Sequence, residues 1–322
     1  MKRQIFAVAV LSAVLLAACG SDTKSTSPTS TSPATTLPST TTPGTTPGTT
    51  PGTTPGTTPG TGDAKACASG KTLTAGALVI ATGNPAYPPY VIDDKPETGQ
   101  GFEAAVALAV AKQMGFEGTA VTWTRTDLDS IAAGSGTDTF DFNLQQFSIT
   151  ADREKVVSFS DPYYTSNEAV LGFTDGPGKN VKTLADLKKL KLGAAAGTTS
   201  LQFITDVIKP DQAPFAFNSN ADAATALSNN QIDAIISDLP TALYWSSAGT
   251  ANGGIDNTKV FGQFPVSAGG AGAAWGLLFK KDNPLVACAN IALANLKASG
   301  ELDAITQKWM GDYNNAPMLP AS

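Results

Sequence analysis

From residue 78 onward the chain alternates short apolar runs with longer stretches whose apolar residues recur at helical spacing, and this alternation limits its fold more than any other feature. Runs at 78–82, 121–123, 140–144, 192–195, 215–217 and 232–237 have the length and apolar content of buried strands. Helical patterns at 102–114, 184–190, 221–229 and 285–297 lie between or after them. Alternation of this kind predicts an α/β structure of mostly parallel sheets covered by helices. The foldable part is about 255 residues, long enough for two lobes, each with its own core.

What precedes it cannot build a core. Met1-Lys-Arg3 followed by an unbroken apolar run from Ile5 to Ala18 has the charged start and short apolar centre of an export signal, too short to span a membrane. Leu16-Ala-Ala-Cys19 has the form of a lipobox, in which the cysteine is diacylated and becomes the mature N-terminus, so Cys19 is the expected lipid anchor. Residues 21–62 are almost wholly Thr, Ser, Pro and Gly, with Pro-Gly-Thr-Thr recurring from Pro43. A four-residue period excludes collagen, and the composition predicts a tether of roughly 40 Å as a coil and about 130 Å if polyproline-like.

Charge and cysteine use narrow the partners. The chain has 21 basic and 27 acidic residues; losing Lys2 and Arg3 with the signal leaves 19 against 27, a net charge of about −8 that argues against nucleic acid. It contains no histidine, which excludes Ser-His-Asp and Cys-His chemistry and disfavours a conventional zinc site, while carboxylate-only catalysis stays open. With Cys19 assigned to lipid, Cys67 and Cys288 remain, and an exported domain with two cysteines is expected to join them.

The stretch Leu-Gln-Gln-Phe-Ser-Ile-Thr-Ala-Asp-Arg from Leu144 to Arg153 can be read position by position as one side of an anion pocket. Ser148 or Thr150 can cap the helical turn after the strand, so that Arg153 projects from its start with hydroxyls and free N–H groups nearby. A guanidinium there offers a planar fork to a carboxylate. Phe159-Ser-Asp-Pro-Tyr-Tyr164 then turns the chain, Pro162 excluding helix.

This segment resembles the signature of bacterial extracellular solute-binding proteins of family 3, the lipoproteins that feed amino acids to ABC importers. Further matches follow in order: Asn84-Pro-Ala-Tyr-Pro-Pro-Tyr90, Gly101-Phe-Glu103, Ala196-Gly-Thr-Thr-Ser200, Ile232-Asp-Ala-Ile-Ile-Ser-Asp238, Trp275-Gly-Leu-Leu-Phe-Lys280 and Lys308-Trp-Met-Gly311. The resemblance implies a two-lobed periplasmic-binding-protein-like fold of type II. Its expected divisions are a signal at 1–18, a lipidated tether at 19–66, lobe one at 67–167 and 267–322, and lobe two at 168–266. The crossings are expected near 166–170 and 264–274, the second containing Gly269-Gly-Ala-Gly272.

The resemblance also implies roles. Arg153, with Ser148, would hold the α-carboxylate of an amino acid; Thr198 and Thr199 would add donors from the opposite lobe; Asp238, otherwise a plain helix cap before Pro240, would receive the ammonium group; and Tyr87 would lie over the side chain. Asn84 stands where binders of basic amino acids carry an acid, Leu128 where they often stack an aromatic ring, and Gln145 and Gln146 where small residues are frequent. These departures favour a neutral polar or acidic amino acid over a basic one. The expected protein is a monomer without a cofactor, partnered by an ABC permease and held at the outer membrane face. A ligand sensor for a membrane receptor or kinase and a carboxylate-driven dehydratase are the alternatives on the same fold.

Overall fold

Alternate residues on two neighbouring inner strands of the second lobe pack to opposite sides, which is why their runs are apolar throughout. Val170 and Ile236 face one core with Leu192, Phe203 and Phe264, while Leu171 and Ile235 face another with Leu227 and Trp245. A computed structural model describes residues 62–264 and 274–320, all in one unit. The export signal, Cys19, nearly all of the tether and the Gly269–Gly272 part of the second crossing lie outside the described residues.

In chain order the elements are α1 (Ala64–Ala68), β1 (Leu78–Gly83), α2 (Phe102–Gln113), β2 (Val121–Thr126), α3 (Leu128–Ala132), β3 (Phe142–Asn143), β4 (Val157–Phe159) and β5 (Tyr164–Thr165). They continue with β6 (Glu168–Phe173), α4 (Leu184–Leu187), β7 (Leu192–Ala195), α5 (Thr199–Phe203), β8 (Phe215–Phe217), α6 (Asn220–Ser228), β9 (Ala234–Asp238) and α7 (Leu239–Ser247). The last are β10 (Thr258–Phe264), β11 (Ala274–Trp275), β12 (Leu278–Lys280), α8 (Leu285–Ala298) and α9 (Glu301–Met310).

One sheet runs β2-β1-β3-β12-β4, the other β10-β6-β9-β7-β8, and β11 pairs with β5 between them. The fold is thus the two-lobed α/β binding-protein fold. Its sheets are mixed rather than mostly parallel. The pairings β1–β2, β1–β3, β7–β8 and β7–β9 are parallel, whereas those of β12 with β3 and β4 and of β6 with β9 and β10 are antiparallel. A strand entering from the other lobe is not bound to the helical crossover that keeps neighbours parallel.

In the first lobe α2 and α8 cover β1 and β3, burying Leu78, Ile80, Phe102, Val110, Phe142 and Leu293. Gly101 opens α2 at φ +107, and a Cβ there would stand 2.4 Å from the Tyr90 carbonyl oxygen, so the 87–90 loop can press on the helix start only because this residue is glycine. Phe102 and Glu103 donate their N–H groups to the carbonyls of Pro89 and Tyr90 at 2.8 and 3.0 Å.

Cys67 and Cys288 form the expected disulfide, tying α1 to α8 with Cα atoms 5.4 Å apart across 221 residues. Loop-entropy reasoning puts its stabilisation at about 5 kcal/mol as an upper figure. The chain end departs from the expected division. The resemblance places residues 267–322 in lobe one, but the Gln263 N–H donates to the Pro317 carbonyl at 2.8 Å, the Gln263 carbonyl accepts from the Leu319 N–H at 2.9 Å, and Leu319 is buried in the second lobe's core. The tail returns because Gly262 leaves room for Leu319, whose Cγ would stand 2.4 Å from an added Cβ. Among the described residues no helix is long and apolar enough to cross a membrane.

Candidate functional site: a cleft between the lobes

The C-terminal ends of β1, β3, β7 and β9 open onto one cleft, as expected where strands of an open α/β sheet end at a crevice. On the first-lobe side, β3 leads through Gln145 and Gln146 to the buried Ser148, and the Thr150 hydroxyl then accepts the Arg153 N–H at 3.2 Å to start a 3₁₀ turn. The Arg153 Nη1 donates to the Ser148 carbonyl and Nη2 to the Gly197 carbonyl of the other lobe, both at 2.8 Å. Two of its five N–H groups are so engaged, leaving three for a ligand. Burial lowers the guanidinium to about 10, opposed by the nearby Asp129, so it remains a cation at neutral pH.

On the second-lobe side, β7 turns at Gly197, where φ is +70 and a Cβ would stand 2.2 Å from an Asp129 oxygen; glycine is what lets the lobes approach here. Thr198 then caps α5, accepting the Leu201 N–H at 3.1 Å and donating to the Ala195 carbonyl at 2.6 Å. Its hydroxyl is engaged by the cap, which leaves its backbone N–H as the donor it can turn to the cleft. The Thr199 hydroxyl instead reaches across the cleft to that of Ser148 at 3.2 Å.

Asp238 ends β9 and caps α7, accepting from the Thr241 N–H at 2.9 Å, the Thr241 hydroxyl at 2.8 Å and, from the first lobe, the Tyr90 hydroxyl at 2.6 Å. The cap reading and the cleft-facing reading both hold, because one carboxylate has lone pairs for both. Burial raises its pKa, and these three donors pull it back down.

Arg153, Ser148, Thr198, Thr199 and Asp238 line one chamber with Gln145 and Gln146. Asn84 and Tyr87 line a second chamber, which shares Leu128, Gln145, Gln146 and Asn220 with the first and holds about 600 Å³ including space open to solvent. All nine residues expected to bind ligand therefore border one continuous cleft. Gln146 differs in role: at φ +50 its N–H donates to Glu103 at 2.7 Å and its side-chain amide also bonds Glu103, so its amide is turned inward.

Sequence reasoning missed two acids. Glu103, in the quoted Gly101-Phe-Glu103 match, is 1 % exposed, bonded by Gln146 and Tyr163, and pushed up to about 7 by burial. Glu168 sits at the first crossing, accepts from Ser200 at 2.7 Å and Thr199 at 3.2 Å, and is likewise pushed up to about 7 by burial. The Gly-Phe-Glu match marked the first without a role; nothing in the sequence marked the second, whose position follows from the crossing. Tyr90 also joins the site only through folding. Among the described lining residues the cleft thus holds one cation, Arg153, and several carboxylates.

Two lobes, each an α/β sheet, closing on a cleft lined in this way define a solute-binding protein. The sequence profile of the bacterial extracellular solute-binding proteins, family 3, matches residues 78–312, and the chain belongs to that family. It is 29 % identical over 228 residues to the ABC transporter arginine-binding protein 1 of Escherichia coli K12, covering 69 % of this chain and 86 % of that protein. It is also 29 % identical over 231 residues to the L-cystine-binding protein TcyJ of the same strain, covering 70 % and 79 %. Among solved structures, an ancestral arginine-binding protein bound to glutamine superposes with a TM-score of 0.62 at 28 % identity, covering 74 % of this chain and 99 % of that one. These relatives are named as binding proteins, and the chain is a solute-binding protein rather than an enzyme.

Proposed function

We propose that this protein captures a neutral polar amino acid by closure of its two lobes and hands it to an ABC importer, while Cys19 and the Thr/Pro/Gly-rich tether hold it at the outer membrane face. The observation that carries the reading is that both lobes line one chamber holding a guanidinium and a carboxylate. Arg153 and Ser148 border it from the first lobe, Thr199 and Asp238 from the second, and the Ser148 and Thr199 hydroxyls meet across it at 3.2 Å. The α-carboxylate is taken by Arg153 and the N–H groups of the Gly197–Ser200 turn, and the ammonium by Asp238. A ligand that touches both lobes favours the closed arrangement, since only differential contact shifts such an equilibrium.

Charge selects the side chain. Among the described lining residues Arg153 is the one cation, so an acidic side chain would meet Glu103, Asp127 and Asp129 without a partner of its own. That argues for the neutral half of the sequence-based expectation. Against a basic ligand, Asn84 is uncharged, Asp127 caps α3 at 3.1 Å and Glu103 is held by Gln146.

A thermal-shift screen of the standard amino acids tests it. Glutamine or another neutral polar amino acid should raise the melting temperature more than arginine or glutamate does, because ligands that bind only the folded state stabilise it by mass action. A rise confined to arginine, lysine and histidine would overturn the specificity, and no rise with any amino acid would overturn the function. The anchor has its own check: Cys19→Ala should move the protein from the membrane fraction to the soluble fraction, and unchanged membrane retention would rule lipidation out.

A further inference from the structure

Glu168 and Asp238 are direct register partners on the antiparallel strands β6 and β9, so their side chains leave the same face of the sheet side by side. Both line the Arg153 chamber. Like charges placed directly opposite on paired strands repel, and the three ion pairs found among the described residues include neither acid. Their surroundings differ. Asp238 accepts four hydrogen bonds, one from a backbone N–H and three from the hydroxyls of Tyr90, Thr241 and Ser237, which stabilise its charged form. Among the described residues Glu168 has two hydroxyl partners, Ser200 and Thr199, and the second is at 3.2 Å.

We propose that Glu168 forms, with Asp238, a two-carboxylate seat for the ligand's ammonium group, and that loading this seat releases the Glu168 proton to solvent. The proposal rests on the amino-acid reading of the cleft given above. Before loading, burial raises both carboxyls, and that of Glu168, pushed up to about 7, is partly protonated at neutral pH. The charged or titratable groups facing Glu168 are Asp238 across the strand pair, Arg153 across the chamber and, beyond Asp238, Tyr90, Tyr164 and Glu103. An arriving ammonium offsets the repulsion and favours the ionised form, so Glu168 gives up its proton as the ligand binds. The sign follows. Affinity is complete above the free-state value near 7 and falls as pH drops through it, because below it the proton must first be displaced.

Calorimetric titration of the mature chain with L-glutamine, or with whichever standard L-amino acid binds wild type most tightly, in buffers of different protonation enthalpy tests this. Wild type should release about 0.3 to 0.8 proton per ligand near pH 7, and its Kd should rise several-fold from about pH 8 to pH 6. Glu168→Gln keeps the shape and the Ser200 bond. It should abolish the release, flatten the pH profile and weaken binding at about pH 8 by at least five-fold. Binding by wild type without proton release would overturn the proposal and leave the function standing. Release that persists in Glu168→Gln would also overturn it, assigning the proton to Glu103. If Glu168→Gln does not fold, the carboxyl-carbon NMR titration of Glu168 in wild type decides: a value that falls on ligand binding supports the seat, and an unchanged one overturns it.

Discussion

Arg153→Ala is expected to weaken amino-acid binding by about 2–5 kcal/mol, about thirty-fold to several thousand-fold. The size follows from the setting, since the guanidinium is buried in the cleft and its loss leaves a ligand carboxylate desolvated without a cation. Part of the loss has a second origin. Arg153 also donates to the Gly197 carbonyl and so links the lobes even where it does not touch ligand. Amidating the ligand separates the two contributions by calorimetry. An amino acid amide should bind wild type poorly, and that penalty should largely vanish in Arg153→Ala, whereas a purely interlobe role would leave it intact. Arg153→Lys should fall between, because a point charge cannot make the fork's paired contacts. Affinity of Arg153→Ala within about two-fold of wild type would remove Arg153 from the binding site.

Asp238→Asn is expected to weaken binding by about 1.5–3 kcal/mol, roughly ten- to a hundred-and-fifty-fold, through the charge facing the ammonium group. The substitution isolates that charge. Asparagine caps helices about as well as aspartate, so the Thr241 N–H keeps its acceptor and α7 its start. Its amide oxygen can still accept the Tyr90 hydroxyl. The ligand-free melting temperature should therefore change little while affinity drops, and the extra penalty for N-acetylating the ligand should shrink, with steric exclusion preserving part of it. A melting temperature that collapses with affinity unchanged would leave Asp238 as a cap alone.

Local patterns carried much of the fold. Expected strands at 78–82, 192–195 and 215–217 and helices at 102–114 and 285–297 match elements within a residue or so, because each is an apolar run or face that needs burial wherever it lies. The elements without a reading of their own include α1, α3, β4, β5, β6, α7, β10, β11, β12 and α9, although parts of several fell within noted motifs or crossings. β10 reads Thr-Lys-Val-Phe-Gly-Gln-Phe, with a lysine and a bulge between Val260 and Gly262, so its pattern is broken. α9 has a polar exposed face and buries only Leu302 and Met310, and its packing partners α2 and α8 supply what its sequence lacks.

By itself the sequence determined that the chain folds as alternating strands and helices, that it carries an arginine on a capped turn after a strand, and that Cys67 and Cys288 were the pair available for a disulfide. Each depends on periodicity, on adjacent residues or on elimination. Only the tertiary structure decided that Arg153 and Gly197 meet, that Tyr90 reaches Asp238, that Glu168 and Asp238 stand side by side, and that Leu319 returns to the second lobe. Those contacts join residues 44 and 148 positions apart, or strands paired through a crossing, and depend on the angle at which two separately packed lobes meet. Neither propensity nor spacing encodes that angle, which is set by the core packing of both lobes and the segments that cross between them.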